Sequence, residues 1–394
     1  MVQTIKILMN LVRHRLRPEL GAGELPESIA SETAKKLMGL AQMHSLTAIV
    51  GSELMDQNLL PPGDLCKEIQ QDVFKAVFRC NNLVYQQQWL SQILEEAEIP
   101  FMPLKGSVIR CYYPEPWLRT SCDIDILIHR EDLARAASVL QKKGCTKHCD
   151  EGFHDISLFT PSGVLLELHF SIQENIAVMD AVLDRVWNYG NPVPGKKFEY
   201  CQDNSFLMFH LIAHMAYHCK SGGCGIRSLV DIWLLQAKMD YDSATLYQLL
   251  DDAKLTKFYE TALRLNDVWF HGKPHTLVTN QLENIILTGG SYGSWDNKTL
   301  IDQAQAGSKE KRLLKRIFMP YNDLKTQYPI LEKHRWLMPF FQIVRWFRIF
   351  SGGRLKHAIR EYNISQKHSN TQIDDTKRFL EEVGLDFSIK SKIE

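Results

Sequence analysis

Net charge is missing from this chain. Over 394 residues, 46 Lys+Arg balance 46 Asp+Glu, so the whole molecule has no electrostatic drive toward nucleic acid or anionic lipid. The nine cysteines include no CxxC pair. That spacing excludes a zinc ribbon, and the odd count argues against a disulfide framework, so a reducing compartment is the simpler setting. No run of about 18 uncharged apolar residues occurs, so no membrane-spanning helix is expected. In MVQTIKILMNLVRHRLRPE the apolar stretch is short, and charge returns at Arg13, Arg15 and Arg17. No small-residue cleavage site follows, so no signal peptide is expected and a cytoplasmic protein is the default. There is no GxxxxGK[ST], GxSxG or HExxH, which removes the P-loop, the hydrolase elbow and the zincin helix. Gly222-Gly223-Cys224-Gly225 follows no strand signal and is not a dinucleotide fingerprint. No internal repeat is visible.

What remains has ordinary globular composition, 45% hydrophobic and 23% charged, and a length that predicts two or three domains. Residues 1–97 carry apolar residues at three- and four-residue spacing and read as a helical region. Ser31 and Thr33 offer a helix cap, and Leu59-Leu60-Pro61-Pro62-Gly63-Asp64 is a breaker before a long helical pattern from about Glu68 to Glu98. Residues 98–200 change character. IPFMP and CDIDILI read as strands, EDLARAASVLQKKG as a helix closed by Gly144, and HDISLFT and VLLELHFSI as a hairpin around Pro161-Ser162-Gly163. Residues 201–308 are helical again through NSFLMFHLIAHMAYHC and IRSLVDIWLLQAKM, with 291–310 read as a polar loop. Residues 309–394 form a basic-aromatic helical segment. The expected fold class is α+β, a small mixed sheet flanked by N-terminal and C-terminal helical regions.

The chemistry concentrates in LKGSVIRCYYPEPWLRTSCDIDILI. Asp123 and Asp125 stand two apart on a strand and so share one face. Carboxylates forced together repel unless a cation lies between them, and oxygen donors suit Mg²⁺ or Mn²⁺. Glu167, on the later strand LLELHF, supplies a third acid if the strands are neighbours, a set able to serve phosphoryl transfer. Gly106-Ser107 follow a strand and open a helix, a place where phosphate can approach backbone. Lys105 and Arg119 are the nearby cations, and His169 shares the Glu167 strand face.

These residues in this order resemble the polymerase-β-like nucleotidyltransferase superfamily. More narrowly, LKG…YYPEPWLRTSCDIDILI…EDLARAASVLQKKG…LLELHF is similar to an uncharacterised nucleotidyltransferase family of bacteria, over roughly residues 30–350. LAQMHSLTAIVGSEL, HLIAHMAYHC…IRSLVDIWLL and YNDLKTQYPILEKHRW add to the likeness. The resemblance implies Asp123, Asp125 and Glu167 as catalytic metal ligands, Glu167 alternatively as the base for an acceptor hydroxyl, and Gly106 and Ser107 facing a triphosphate. It implies an NTP donor and leaves the acceptor open among sugar, small molecule, protein and RNA. It also suggests that His210 or His214, with Arg227 and Asp231, lines or braces the cleft. Two departures stand out. Fifteen residues (108–122) separate Ser107 from Asp123, a long gap, and Lys105 stands where many members have glycine or another small residue.

Other features have plainer readings. His210, His214 and His218 recur at i, i+4 and i+8, a spacing too long for one zinc, and read as an inner helix face. Arg227 and Asp231 have the i, i+4 spacing of a helix-stabilising pair. Asp155, next to His154, is a fallback third carboxylate. Tyr112 and Tyr113 read as core residues, with base stacking as the functional option. The segment 309–360 carries 13 Lys/Arg against three acids, a local net of +10, with Trp336, Phe340, Phe341, Trp346, Phe347 and Phe350 interleaved. It reads as a helix packed on the body with arginines outward, against peripheral membrane or RNA contact as alternatives. Two rival functions follow: a toxin-like nucleotidyltransferase acting on tRNA, and a non-catalytic scaffold with the same fold.

Overall fold

The computed structural model describes residues 2–21, 25–60, 62–148, 155–307, 309–351 and 355–387. His154 and Arg354, and the side chains of Phe350, Arg312, Lys315, Arg316 and Lys356, lie outside it. The chain is α+β and 66% helical. Four helices come first: α1 (Val2–Leu16), α2 (Ser31–Met43), α3 (Thr47–Asp56) and α4 (Asp64–Glu96). Ser31 is the first residue of α2 rather than its cap. Ala30 holds the cap position with no side-chain bond, because the break in helical backbone falls one residue earlier than the hydroxyls.

The sheet follows. Its strands are β1 (Phe101–Pro103), β2 (Asp123–Ile128), β3 (Thr146–Lys147), β4 (Asp155–Phe159) and β5 (Leu165–His169). Their order is β1-β2-β5-β4-β3, with β2 and β5 parallel and the other pairings antiparallel. The sheet is therefore mixed, as expected. Helices α5 (Gly106–Ile109) and α6 (Leu133–Lys142) lie in the connections. Alternation gives the sheet two unlike faces. Ile124, Ile126, Ile128, Leu166 and Leu168 point to one face and form a core with Leu83, Leu90 and Leu94 of α4 and Leu133 and Leu140 of α6. The residues between them, Asp123, Asp125, Glu167 and His169, are left on the other face.

After α7 (Ala177–Leu183), a small ribbon of β6 (Gly190–Pro192) and β7 (Tyr200–Gln202) leads into α8 (Asn204–Lys220). Asp203 caps α8 by accepting from the Ser205 and Phe206 N–H groups. Next come α9 (Ile226–Lys238), α10 (Ser243–Asp252), α11 (Thr256–His271) and α12 (Leu277–Gly289). Their apolar faces share one large core with α1, α2, α3 and the inner side of α8.

Residues 295–306, read from sequence as part of a loop, form helix α13 (Trp295–Ala306) instead. Ser294 Oγ accepts from the Asn297 N–H and Gly307 ends the helix in left-handed conformation, so both termini are satisfied. The segment looks polar because part of its buried side is polar. Gln303 Nε2 donates to Ser365 O, and its Oε1 meets His368 Nδ1 at 2.7 Å. The remaining helices are α14 (Lys309–Ile317), α15 (Tyr321–Gln327), α16 (Ile330–Lys333), α17 (Met338–Ser351), α18 (Leu355–Lys367) and α19 (Asn370–Glu382). The chain then returns to the end of α8, where the buried Lys220 Nζ donates to Leu385 O at 2.9 Å and to Phe387 O. No helix among the described residues is long and apolar enough to cross a membrane.

Candidate active site

The polar face of the sheet is the floor of a cavity of about 860 Å³, within the range of small-molecule sites. Register brings the acids together. Asp125 of β2 stands directly beside Glu167 of β5, and Asp123 precedes it by one same-face step. All three line the cavity. One wall comes from α2 and α4, with Lys35, Lys75 and Arg79. The opposite wall comes from α8 and α9, with His214, His218 and Arg227.

His169 lies behind the acids, not among the residues lining the cavity. Its Nε2 is 3.0 Å from Asp125 Oδ1 and 3.4 Å from Glu167 Oε2. Burial disfavours its charge, yet the bonds to Asp125 and Glu167 outweigh burial and push His169 up to about 9. Burial would raise Asp125, but the Lys105 charge and the His169 bond hold it well below the usual carboxylate range. Asp123 is raised, by burial first and then by the charges of Asp125 and Glu167. The cluster thus holds negative charge that the imidazolium relieves only in part. A donor set of crowded carboxylates with one member forced toward protonation fits a divalent cation. Donor atoms of Asp125, Glu167 and His169 lie within 4.8 Å of one another, a group that leaves out Asp123 and in which His169 can act as a ligand only after losing its proton. Asp155 shares the sheet face through its register with His169. It lies outside this donor group and accepts from Ser157 Oγ at 3.0 Å.

Lys105 points to these acids from the end of β1. Its backbone has φ +43° and ψ −111°, a region glycine enters freely and other residues at a cost. Among the described residues its Nζ has no hydrogen-bond or ion-pair partner. A second cation on the cavity wall, Arg227, makes one side-chain bond among the described residues, from Nη1 to Thr120 O at 2.8 Å. The sequence reading pairs Arg227 with Asp231, and the structure corrects this. Both Asp231 oxygens are taken by residues more than a hundred positions away. Arg119 donates through Nε at 3.1 Å and Nη2 at 2.9 Å, and Tyr113 Oη donates at 2.7 Å. Arg119 therefore reaches the cavity with its charge already engaged in a buried bidentate pair. Tyr113 is committed to the same carboxylate. Tyr112 is half-buried against the core.

Gly106 lines the cavity, and an added Cβ there would lie 2.8 Å from Arg119 Nη1. The glycine makes room for the guanidinium. Its carbonyl accepts from Arg110 Nε at 2.9 Å. Ser107 is not among the lining residues, and its Oγ is buried without a partner among the described residues.

The three histidines of α8 divide. His210 is buried beneath the wall, with Nδ1 3.2 Å from Gln202 Nε2. His214 Nδ1 donates to Glu174 Oε1 at 2.6 Å, and His218 Nε2 meets His214 Nε2 at 3.1 Å. Burial lowers both, and His218 falls to about 3, so the pair faces the cavity neutral. The Glu174–His214–His218 chain has no local sequence signal, since its carboxylate lies 40 residues before its histidine.

The arrangement is an α+β unit whose acid-bearing sheet floors a cleft walled by helices. The chain matches the family described as uncharacterised nucleotidyltransferase over residues 30–271, well over half its length, and belongs to that family. No curated protein matches it.

Proposed function

We propose that this protein transfers a nucleoside monophosphate from an NTP to an acceptor hydroxyl and releases pyrophosphate. The observation that carries the reading is the placement of Asp123, Asp125 and Glu167 on one cavity floor, with Lys105 and Arg227 facing the same space with donors to spare. Asp123, Asp125 and Glu167 would hold Mg²⁺ or Mn²⁺, which would supply positive charge to offset that of the triphosphate. Lys105 and Arg227 bind the phosphate oxygens by charge-assisted hydrogen bonds and orient the donor. The acceptor oxygen attacks the α-phosphorus, the bond to the β-phosphate oxygen breaks, and pyrophosphate leaves with the electron pair. Glu167 would either complete the ligand set or take the acceptor proton, which otherwise passes to solvent. Arg119, tied to Asp231, fixes the loop that delivers β2 to the floor.

The test is isothermal titration of ATP, GTP, CTP and UTP with Mg²⁺ and with chelator, on the wild type and on Asp123→Asn/Asp125→Asn. Metal-dependent binding of a nucleotide, lost in the double variant, is expected. Equal binding by both proteins would remove these acids from the site.

A further inference from the structure

The helix α17 buries two polar side chains and leaves a stripe of apolar ones exposed. Its sequence is MPFFQIVRWFRIFS. A helix packed on a protein body turns its apolar residues inward and lets arginine stems reach solvent. Here Gln342 and Arg345 face inward, 6% and 8% exposed. Gln342 Nε2 donates to Met319 O at 2.6 Å, and Arg345 Nη1 donates to Ile317 O at 3.2 Å. The outward face carries Phe340, Ile343 and Phe347, exposed by 57%, 47% and 69%. At about 100° per residue these three fall within a stripe of roughly 60°. The expectation of an apolar face packed on the body with arginines outward is thereby reversed for Phe340, Ile343, Phe347 and Arg345, and it holds for Arg348, which is exposed.

The stripe does not stand alone. Trp336, just before α17, is exposed, and so are Leu314 on α14 and Phe318 just after it. Phe318 packs edge-on against Trp346 of α17, which joins the two helices into one surface. Lys333, Arg335 and Arg348 are exposed beside it, within the segment whose net charge is +10. An exposed apolar patch rimmed by charge of one sign marks an interaction surface, and the sign selects the partner.

We infer that α17 and its basic flanks form a docking surface for an anionic lipid bilayer. The helix has 14 residues, against about 20 needed to span the hydrocarbon layer, so it lies in the interface with Phe340, Ile343 and Phe347 inserted. Lys333, Arg335 and Arg348 then meet lipid phosphates, a pairing of apolar and electrostatic contributions that holds a protein reversibly. Two other occupants fit less well. A second copy would set Lys333, Arg335 and Arg348 against their own counterparts across a face-to-face contact. Single-stranded RNA would stack on successive aromatic platforms, whereas Ile343, between Phe340 and Phe347 along the helix, has no π-face.

The experiment is cosedimentation of the full chain with phosphatidylcholine vesicles and with vesicles also containing phosphatidylglycerol, at low and high salt. Binding to the anionic vesicles that weakens with salt is expected. Phe340→Asp/Phe347→Asp should weaken it by about tenfold or more. Leu277→Asp, which charges an exposed apolar side chain elsewhere, should leave binding unchanged. Circular dichroism melts check that both variants fold. Asp123→Asn/Asp125→Asn should bind vesicles like the wild type, so this result stands or falls apart from the catalytic reading. Failure to bind anionic vesicles overturns the inference, as does binding indifferent to Phe340→Asp/Phe347→Asp. A dimer or an RNA complex dissolved by that variant, without vesicle binding, overturns it in favour of those partners.

Discussion

Lys105 offers a substitution whose two effects have opposite signs. Its φ of +43° with ψ −111° is a conformation that suits glycine, and a side chain held there costs roughly 1–3 kcal/mol. Glycine removes that strain but has more freedom to lose on folding, about 0.5–1 kcal/mol. The net for Lys105→Gly is a gain of about 1 kcal/mol over Lys105→Ala, which loses the same amine and keeps the strain. Affinity moves the other way. Losing one charge-assisted bond to a phosphate costs about 1.5–3 kcal/mol, or roughly 10- to 150-fold in Kd. Both variants are therefore expected to bind Mg²⁺-NTP weakly, while only the glycine variant resists urea better. Denaturation curves and titration calorimetry on the three proteins supply the four comparisons. Wild-type affinity in Lys105→Ala would remove the amine from the phosphate site. A glycine variant no more stable than the alanine one would refute the strain.

Three further outcomes are expected. Asp231→Ala leaves the buried Arg119 guanidinium uncompensated and should cost about 3–5 kcal/mol, whereas Arg119→Met/Asp231→Leu should recover much of it in a thermal-melt double-mutant cycle. Gly106→Ala places a methyl 2.8 Å from Arg119 Nη1 and should cost about 1–3 kcal/mol by urea titration, a loss absent if the guanidinium simply swings aside. His44 is buried, accepts from the Ile226 N–H through Nδ1, and is lowered by burial to about 4 from 6.5. A histidine depressed on folding contributes stability above its unfolded pKa that is lost as pH falls through 6.5 toward 4. Between pH 7.5 and 4.5 the wild type should lose about 2.5 kcal/mol more than His44→Leu, and parallel pH profiles would refute the assignment.

The acid floor was legible because strand alternation is local. Asp123 and Asp125 on one strand, and Glu167 and His169 on the other, announce their faces by a spacing of two, and only the adjacency of β2 and β5 had to be supplied. The two-residue β3 and the ribbon β6–β7 were not legible, since each is too short to show a period. The partner of Asp231 was not legible either. Spacing along α9 offers Arg227, while the fold delivers Arg119 from 112 residues away, and only a bidentate pair in a buried setting explains why the distant arginine wins. The wall histidines looked like one face of α8, but the loop carrying Glu174 splits them into a buried His210 and the hydrogen-bonded pair His214 and His218.

Lys220 gives the far end of the chain a part in closing α8. Its ammonium is buried at the end of α8, is lowered by burial to about 8, and donates to the carbonyls of Leu385 and Phe387. A ribosome that has completed the family-matched residues 30–271 has therefore made a helix bearing an ammonium without its acceptors. The residues that answer that group lie more than a hundred positions further on, so residues 385–387 close off the C-terminal end of the helix whose His214 and His218 line the cleft.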